Sequence, residues 1–441
     1  MNSFTRFDTI KLGLTMFALF FGAGNMIFPP LLGQQAGTQM WITLAGFLIT
    51  GVGLPYLGVI AVTMSGNQLS DLAGKASPIF ATFFPFIVYL ALGPFFGVPR
   101  TATVSFEIAV SPFVPSSHHG LALALFSIVF FAVTVWLSMK PNKMVDRFGS
   151  LLTPVLLAIV TLIVVIGIVN PLDAAGAPQG AFAEDFFIKG FIEGYGTMDA
   201  MAALVFSIIV INAVKAKGIT DRKAITSITM RAGLIAVVGL SLVYAGLAYL
   251  GTTSRGVAAG ATNGGDILAK LAYALMGNNG LYLLGAAVTL ACLTTSVGLV
   301  SASATYLSRV VTAIPYKAFV VIICGFSTIV ANIGLTKLLA VTIPVLIGIY
   351  PLAIVLISFR LFHKVFRGYH EVYIFGLVAA GVIGLFDMLI AFGLELKPVV
   401  KVLGYLPLYE QGVGWIVPVL VFGLIGFVIA FAQGKPRVTQ D

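Results

Sequence analysis

Few residues in this chain are equipped for chemistry, because 9% of its 441 residues are charged and 59% are hydrophobic. Two clusters stand out. Gly22-Ala23-Gly24-Asn25-Met26-Ile27-Phe28-Pro29-Pro30 interrupts one apolar run, and Glu193-Gly194-Tyr195-Gly196-Thr197-Met198-Asp199-Ala200 interrupts another. Glycine loosens a backbone and proline removes a donor, so each stretch should unwind a helix locally. Lipid cannot hydrogen-bond the N–H and C=O groups that unwinding frees, so such a turn survives only where protein, water or ligand satisfies them. The last carbonyls of a first half-helix suit a cation, and the first N–H groups of a second suit an anion. An amino-acid zwitterion with a coupling cation fits both.

The elements that position these clusters are membrane helices. Apolar runs long enough to cross about 30 Å of hydrocarbon recur from residue 9 to residue 432, which excludes a soluble enzyme and points to an all-α polytopic membrane protein. Twelve spans are expected near 9–32, 40–63, 78–108, 121–138, 150–169, 187–213, 225–250, 280–306, 317–333, 336–359, 371–393 and 413–432. The third is too long for one straight crossing. The net charge of +9 is a topology signal, not a nucleic-acid footprint. With the N-terminus inside, eighteen of the twenty-five Lys and Arg fall on cytoplasmic segments, including Lys140, Lys143 and Arg147, then Lys215, Lys217, Arg222 and Lys223, then Arg360, Lys364 and Arg367. Both termini are then cytoplasmic. The first span is too long and too glycine-broken for a signal peptide, and no small-residue cleavage site follows it, so it should be retained as helix one.

Span one runs from inside to outside and span six from outside to inside, each broken about a dozen residues from its start. Corresponding breaks in two halves are the sequence mark of a transporter built from inverted repeats. The first repeat would be residues 1–170, carrying spans one to five. The second would be 171–362, carrying spans six to ten, and 363–441 would hold accessory spans eleven and twelve with a cytoplasmic tail.

Phe20-Phe21-Gly22-Ala23-Gly24-Asn25-Met26-Ile27-Phe28-Pro29, with Gly194-Tyr195-Gly196-Thr197-Met198-Asp199-Ala200 and Val210-Ile211-Asn212-Ala213, resembles the branched-chain amino acid:cation symporter family. That resemblance implies uptake of leucine, isoleucine and valine across a bacterial inner membrane, coupled to Na⁺ or H⁺. A wider similarity is to the bacterial leucine transporter fold of the APC superfamily, on Gly22-Ala23-Gly24-Asn25, Phe28-Pro29 and Ala291-Cys292-Leu293-Thr294-Thr295-Ser296. It implies a 5+5 inverted repeat with discontinuous first and sixth helices. It also implies a sodium site made by Ala18, Phe21, Ala291, Thr294 and Thr295. Physically, carbonyls freed by unwinding plus hydroxyls from span eight make a weak, releasable site without a buried charge. The same hydroxyls can instead bond to carbonyls of their own helix.

For the substrate carboxylate, the N–H groups around Ala23, Gly24 and Asn25, following Gly22, are the natural anchors, since glycine allows close approach. The ammonium needs carbonyls, for which Phe20, Phe21, Gly194, Tyr195 and Thr197 are candidates, with Gly196 between them. An aliphatic side chain needs a dry pocket, which Phe20, Tyr195 and Met198, with Phe95 or Phe96, could line. Gly93-Pro94 and Gly97-Val98-Pro99 should kink span three beside the site. The leucine transporter fold has no such pair there, so none of its span-three residues is carried over.

Ionisable residues inside spans are expensive and mark function. Asp199 could take a proton, bind the ion or cap the second half-helix. Glu193 could meet a gate or lie in an outer vestibule. Arg100 and Glu107 are seven apart, on similar faces of a helix, and could pair. The position of Arg100 near the outer end of a kinked span favours interfacial snorkelling over an extracellular gate. Asp387 should face a neighbouring helix or the headgroups. Cys292 and Cys324 both lie in spans, so neither a disulfide framework nor a metal cluster is expected. His118, His119, His363 and His370 read as solvated loop residues.

These features give a secondary active symporter for branched-chain amino acids and Na⁺, working by alternating access. No organic cofactor, nucleic-acid partner or obligate protein partner is expected. The alternatives are an H⁺-coupled symporter using Asp199 and a sensor that binds without transporting. A channel would need a continuous polar pore, and enzyme chemistry lacks its His/Glu clusters, Ser/His pairs or nucleotide loops.

Overall fold

The computed structural model describes residues 4–139, 153–261 and 263–436, and every regular element among them is helical. Lys140, Lys143, Arg147 and the first residues expected of span five lie outside the described residues. α1 (Arg6–Phe20) starts at Thr5, whose hydroxyl accepts the Asp8 N–H at 3.1 Å while the Asp8 carboxylate accepts the Thr5 N–H at 3.0 Å. This reciprocal cap satisfies two of the donors a helix start leaves free.

The first break is narrower than the sequence suggests. The chain is extended at Phe21 (φ −78°, ψ 90°) and Gly22 (φ −127°, ψ −154°), and α2 (Ala23–Ala36) then carries Pro29 and Pro30 inside the helix. Met26 to Pro30 are therefore helical, not unwound. Proline has a helical φ, so a helix begun afresh at Ala23 runs through both prolines at the cost of two backbone bonds and of ring contact with the carbonyls of Asn25 and Met26.

The second span is α3 (Met40–Leu48), a π turn over Ile49–Gly53 and α4 (Leu54–Ser65), followed by the short α5 (Leu69–Ala73). The third is α6 (Pro78–Leu90), a π turn over Ala91–Phe95 and α7 (Gly97–Ala109), kinked at Gly93 with ψ −111° as Gly93-Pro94 demands. α8 (His119–Ser138) and α9 (Thr153–Val169) follow. The sixth span breaks as expected. α10 (Phe186–Glu193) gives way to a 3₁₀ turn over Gly194–Thr197, Met198 sits at φ +67°, and α11 (Asp199–Lys215) departs at 44°. A left-handed non-glycine residue is strained and persists only where its surroundings determine it.

The remaining helices are α12 (Arg222–Thr252), α13 (Gly264–Met276), α14 (Asn278–Val310), α15 (Tyr316–Ala331), α16 (Leu335–Leu361), α17 (His370–Ala391), α18 (Lys397–Leu403) and α19 (Ile416–Ala432). α13 and α18 were not expected, being too short to register as spans. α13 is nevertheless encoded locally, since the Asn263 side chain accepts the Gly265 and Asp266 N–H groups at 2.9 and 3.1 Å.

Among the described residues, seven helical stretches are long and apolar enough to cross a membrane, the bent α10–α11 pair adds an eighth, and α9, α15 and α19 are shorter apolar helices. The chain is a multi-pass membrane protein. Its outer face shows the expected solvent: Trp136, Ile329 and Leu424 are exposed on α8, α15 and α19. α19 buries only the stripe Val419, Gly423, Gly426 and Ala430 against α17, small residues that let the helices approach closely. The broken spans lie at the centre, with α12 packed on both α1 and α2, α11 on α4, α10 on α3, α7 on α14 and α8 on α15.

Candidate functional site

The two breaks face one another across a narrow cleft. Phe20, Gly22, Ala23, Gly24 and Asn25 reach it from the first break, and Thr197, Met198 and Asp199 from the second. Gly22 ends one half-helix, so Ala23, Gly24 and Asn25 occupy the first turn of α2, where N–H groups lack partners within the helix. Leu92, Gly97, Arg100 and Thr101 close it from the third span, with Thr295 and Leu299 from α14. Charge of both signs and aliphatic wall thus meet in one cleft.

Asn25 is the centre of the polar network. Its Oδ1 accepts the Gly22 N–H at 2.9 Å, which pins the turn, while its Nδ2 donates to an Asp199 carboxylate oxygen and to the Tyr244 hydroxyl. Tyr244, on α12, donates to the same Asp199 oxygen at 3.2 Å. Asp199 opens α11, and its N–H donates to the Thr197 hydroxyl at 3.3 Å. All three side chains are almost wholly buried. A carboxylate in that setting is held by two neutral donors and by the positive end of its own half-helix.

Arg100 does not snorkel. It is 4% exposed, and its guanidinium donates from Nη1 to the Gly196 carbonyl at 2.6 Å and from Nη2 to the Thr197 carbonyl at 2.9 Å. The kink at Gly93 swings α7 inward and carries Arg100 to the second break, and the guanidinium also lies 5.9 Å from the centre of the Phe28 ring. Glu107 is elsewhere, hydrogen-bonded to Asn263, so the two do not pair. Glu193 stands at the C-terminal end of α10, beside the second break, in an ion pair with Lys189 at 3.2 Å.

Beside the first break lies a cluster of neutral oxygens. The Thr294 hydroxyl donates to the Ala291 carbonyl at 2.8 Å and reaches the Ala18 carbonyl of α1 at 3.3 Å. The Thr295 hydroxyl is buried with no hydrogen-bond partner among the described residues, and a methyl placed on Gly22 would come within 2.6 Å of it. An unpaired buried hydroxyl next to freed carbonyls is a donor set suited to a hard monovalent cation.

Several residues expected at the substrate lie off the cleft. The Phe21 ring stacks with Phe17 at 5.1 Å and faces Tyr244 at 6.5 Å, since Phe21 is extended just past the end of α1 and points away from the cleft. Gly194 packs on Thr50 and Gly196 on the Phe28 ring, while Tyr195 stacks on Tyr350 at 4.4 Å. Phe95 points outward at 43% exposure, against Phe326, and Phe96 does not reach the cleft. The aliphatic wall is instead Leu19, Leu92, Ala202 and Leu299. Tyr244 carried no sequence signal beyond being a hydroxyl within a span; its role depends on the packing of α12 against α1.

Half-helix ends that converge on a polar cleft inside an apolar bundle define a membrane transporter core. Along residues 5–433 the chain matches the family model described as branched-chain amino acid transport protein. It is 45% identical over 435 residues to the branched-chain amino acid permease BraB of Bacillus subtilis (strain 168), covering 98% of each chain. It is 41% identical over 437 residues to the branched-chain amino acid transport system 2 carrier protein of Pseudomonas aeruginosa, covering 99% of each. In fold it is similar to Mhp1, a nucleobase-cation-symport-1 family transporter solved in a closed conformation with bromovinylhydantoin bound. The TM-score is 0.64 at 13% identity, over 98% of this chain and 94% of that one. The chain belongs to the branched-chain amino acid transport protein family, and it is a transporter, not an enzyme.

Proposed function

We propose that this protein is a secondary active symporter that carries leucine, isoleucine and valine inward with Na⁺ by alternating access. The observation that carries the proposal is the cleft between the two breaks. The N-terminal turn of α2 receives the substrate carboxylate, the second-break carbonyls receive its ammonium, and Leu92, Leu299 and Met198 enclose its side chain. Na⁺ sits one turn away among the Ala18, Phe21 and Ala291 carbonyls and the Thr294 and Thr295 hydroxyls. Binding of both ligands favours closure more than either alone, since a ligand without differential affinity shifts no equilibrium.

The proposal extends to architecture. Twelve spans follow if α1 with α2 forms the first, α3 with α4 the second, α6 with α7 the third and α10 with α11 the sixth. A 5+5 repeat over residues 1–170 and 171–362, with 363–441 accessory, is supported by the packing. Exchanging span one for six and two for seven maps the α1–α12 contact onto the α10–α3 contact, the α2–α12 contact onto the α11–α4 contact, and the third-with-eighth pair onto itself. The Lys and Arg bias supports cytoplasmic termini, and membership of the family supports a bacterial inner membrane.

One specific observation favours a second coupling ion. Asp199 is buried between Asn25 and Tyr244 with no ion pair among the described residues, so a proton could serve in place of Na⁺. The test is labelled leucine uptake into proteoliposomes under an inward Na⁺ or H⁺ gradient, with Thr294→Ala and Asp199→Asn beside wild type. Uptake that needs Na⁺ and fails in Thr294→Ala supports the neutral ion site. Uptake driven by H⁺ alone and lost in Asp199→Asn moves coupling to the carboxylate. No concentrative uptake under either gradient refutes symport.

A further inference from the structure

Arg100 sits in a place that the chemistry of the cleft reserves for a ligand. Its two terminal nitrogens fork onto the Gly196 and Thr197 carbonyls, and a methyl on Gly24 would lie 2.7 Å from Nη2. The guanidinium therefore spans the gap between the two breaks. No carboxylate lies within ion-pair distance of it among the described residues, so these carbonyls are its main partners. Of the two, the Thr197 carbonyl lines the cleft, where a substrate ammonium needs an acceptor, and two cations held side by side on it would repel each other.

We propose that Arg100 is a tethered stand-in for the substrate ammonium, a step that rests on the symporter assignment. In the empty carrier it pairs the second-break carbonyls, and arriving substrate displaces it. The physical need is clear. Closing the site on carbonyls stripped of water and left unpaired is unfavourable, so an empty carrier without a substitute stalls before it can reorient. Arginine suits the task because its planar fork meets two adjacent carbonyls at once and its charge persists when buried. As an intramolecular competitor it also weakens substrate binding by the fraction of time it holds the carbonyls.

The two halves of the transport cycle separate this role from a static clamp. Net uptake requires the empty carrier to return, whereas exchange of external labelled leucine for internal unlabelled leucine returns it loaded. In proteoliposomes, Arg100→Gln should lower the ratio of net uptake to exchange by at least about tenfold, while leucine binding, read by thermal stabilisation of the purified protein, becomes as tight or tighter. Arg100→Lys, which keeps the charge but loses the fork, should give an intermediate ratio and tighter leucine binding than wild type. That variant decides the matter if Arg100→Gln does not fold.

A parallel fall of net uptake and exchange overturns the proposal, as does an unchanged ratio in either variant. Leucine binding weakened about tenfold would also overturn it, because Arg100 would then be holding the substrate. Failure of the wild type to exchange leucine would instead remove the symporter assignment, so the two failures are distinguishable.

Discussion

Replacing Asn25 by alanine tests the centre of the polar network, because one side chain there serves three partners. The Gly22 N–H loses its acceptor at 2.9 Å, Asp199 loses an amide donor, and the Tyr244 hydroxyl keeps only its bond to Asp199. Each buried group left without a partner costs about 1–3 kcal/mol, with more for a carboxylate. With some relief from relaxation or an entering water, Asn25→Ala should destabilise the protein by about 2–5 kcal/mol. The assay is reversible unfolding of the purified protein by SDS in mixed micelles, with leucine uptake measured in parallel. A second variant, Asp199→Asn, weakens the same Asn25–Asp199 bond, so the double mutant should be less destabilised than the sum of the singles by about 0.5–3 kcal/mol. A change below about 0.5 kcal/mol in Asn25→Ala, or additive effects of the two substitutions, would refute the network as the element that pins the first break.

Gly22→Ala tests close approach, since its φ of −127° is open to alanine while the added methyl would sit 2.6 Å from the Thr295 hydroxyl. It should cost about 1–3 kcal/mol by overpacking and raise the Na⁺ concentration for half-maximal uptake; adding Thr295→Ala should restore stability but not ion affinity. Leu299→Ala widens the aliphatic wall and should shift preference toward methionine and phenylalanine over valine by about 1–3 kcal/mol, read from competition against labelled leucine. Just past the C-terminal end of α16, burial first and then Arg360, Lys75 and His370 push the His363 imidazole down to about 4 from an ordinary 6.5. The unfolded chain takes up that proton near 6.5 and the folded protein only near 4, so this contribution is full above 6.5 and is lost progressively as pH falls toward 4. Melting temperatures between those pH values should fall less steeply in His363→Gln than in wild type; identical slopes would show that another group governs the acid limb.

What the amino-acid sequence determines here is what neighbours in the chain decide among themselves. Hydropathy marks the spans because a helix facing lipid must be apolar on its own account. Gly194 and Gly196 weaken a helix wherever they are placed, and Gly93-Pro94 kinks one for an equally local reason, although the left-handed Met198 depends on its surroundings. Even the narrowing of the first break to Phe21 and Gly22 is local, since proline at Pro29 and Pro30 forbids donors but not helical dihedrals. The same residue types read along the chain cannot say which face each presents. That is why Phe20 reaches the cleft and Phe21 does not, and why Tyr195 turns to Tyr350. Tyr244 is 45 residues from Asp199 and 219 from Asn25, and Arg100 is 96 from Gly196. Only tertiary packing brings these groups together, with α12 laid along α1 and α2 and the kinked α7 held against α14. A buried guanidinium or carboxylate is tolerable only once such partners surround it, and partners drawn from distant helices leave no periodicity or spacing in the sequence to find them by.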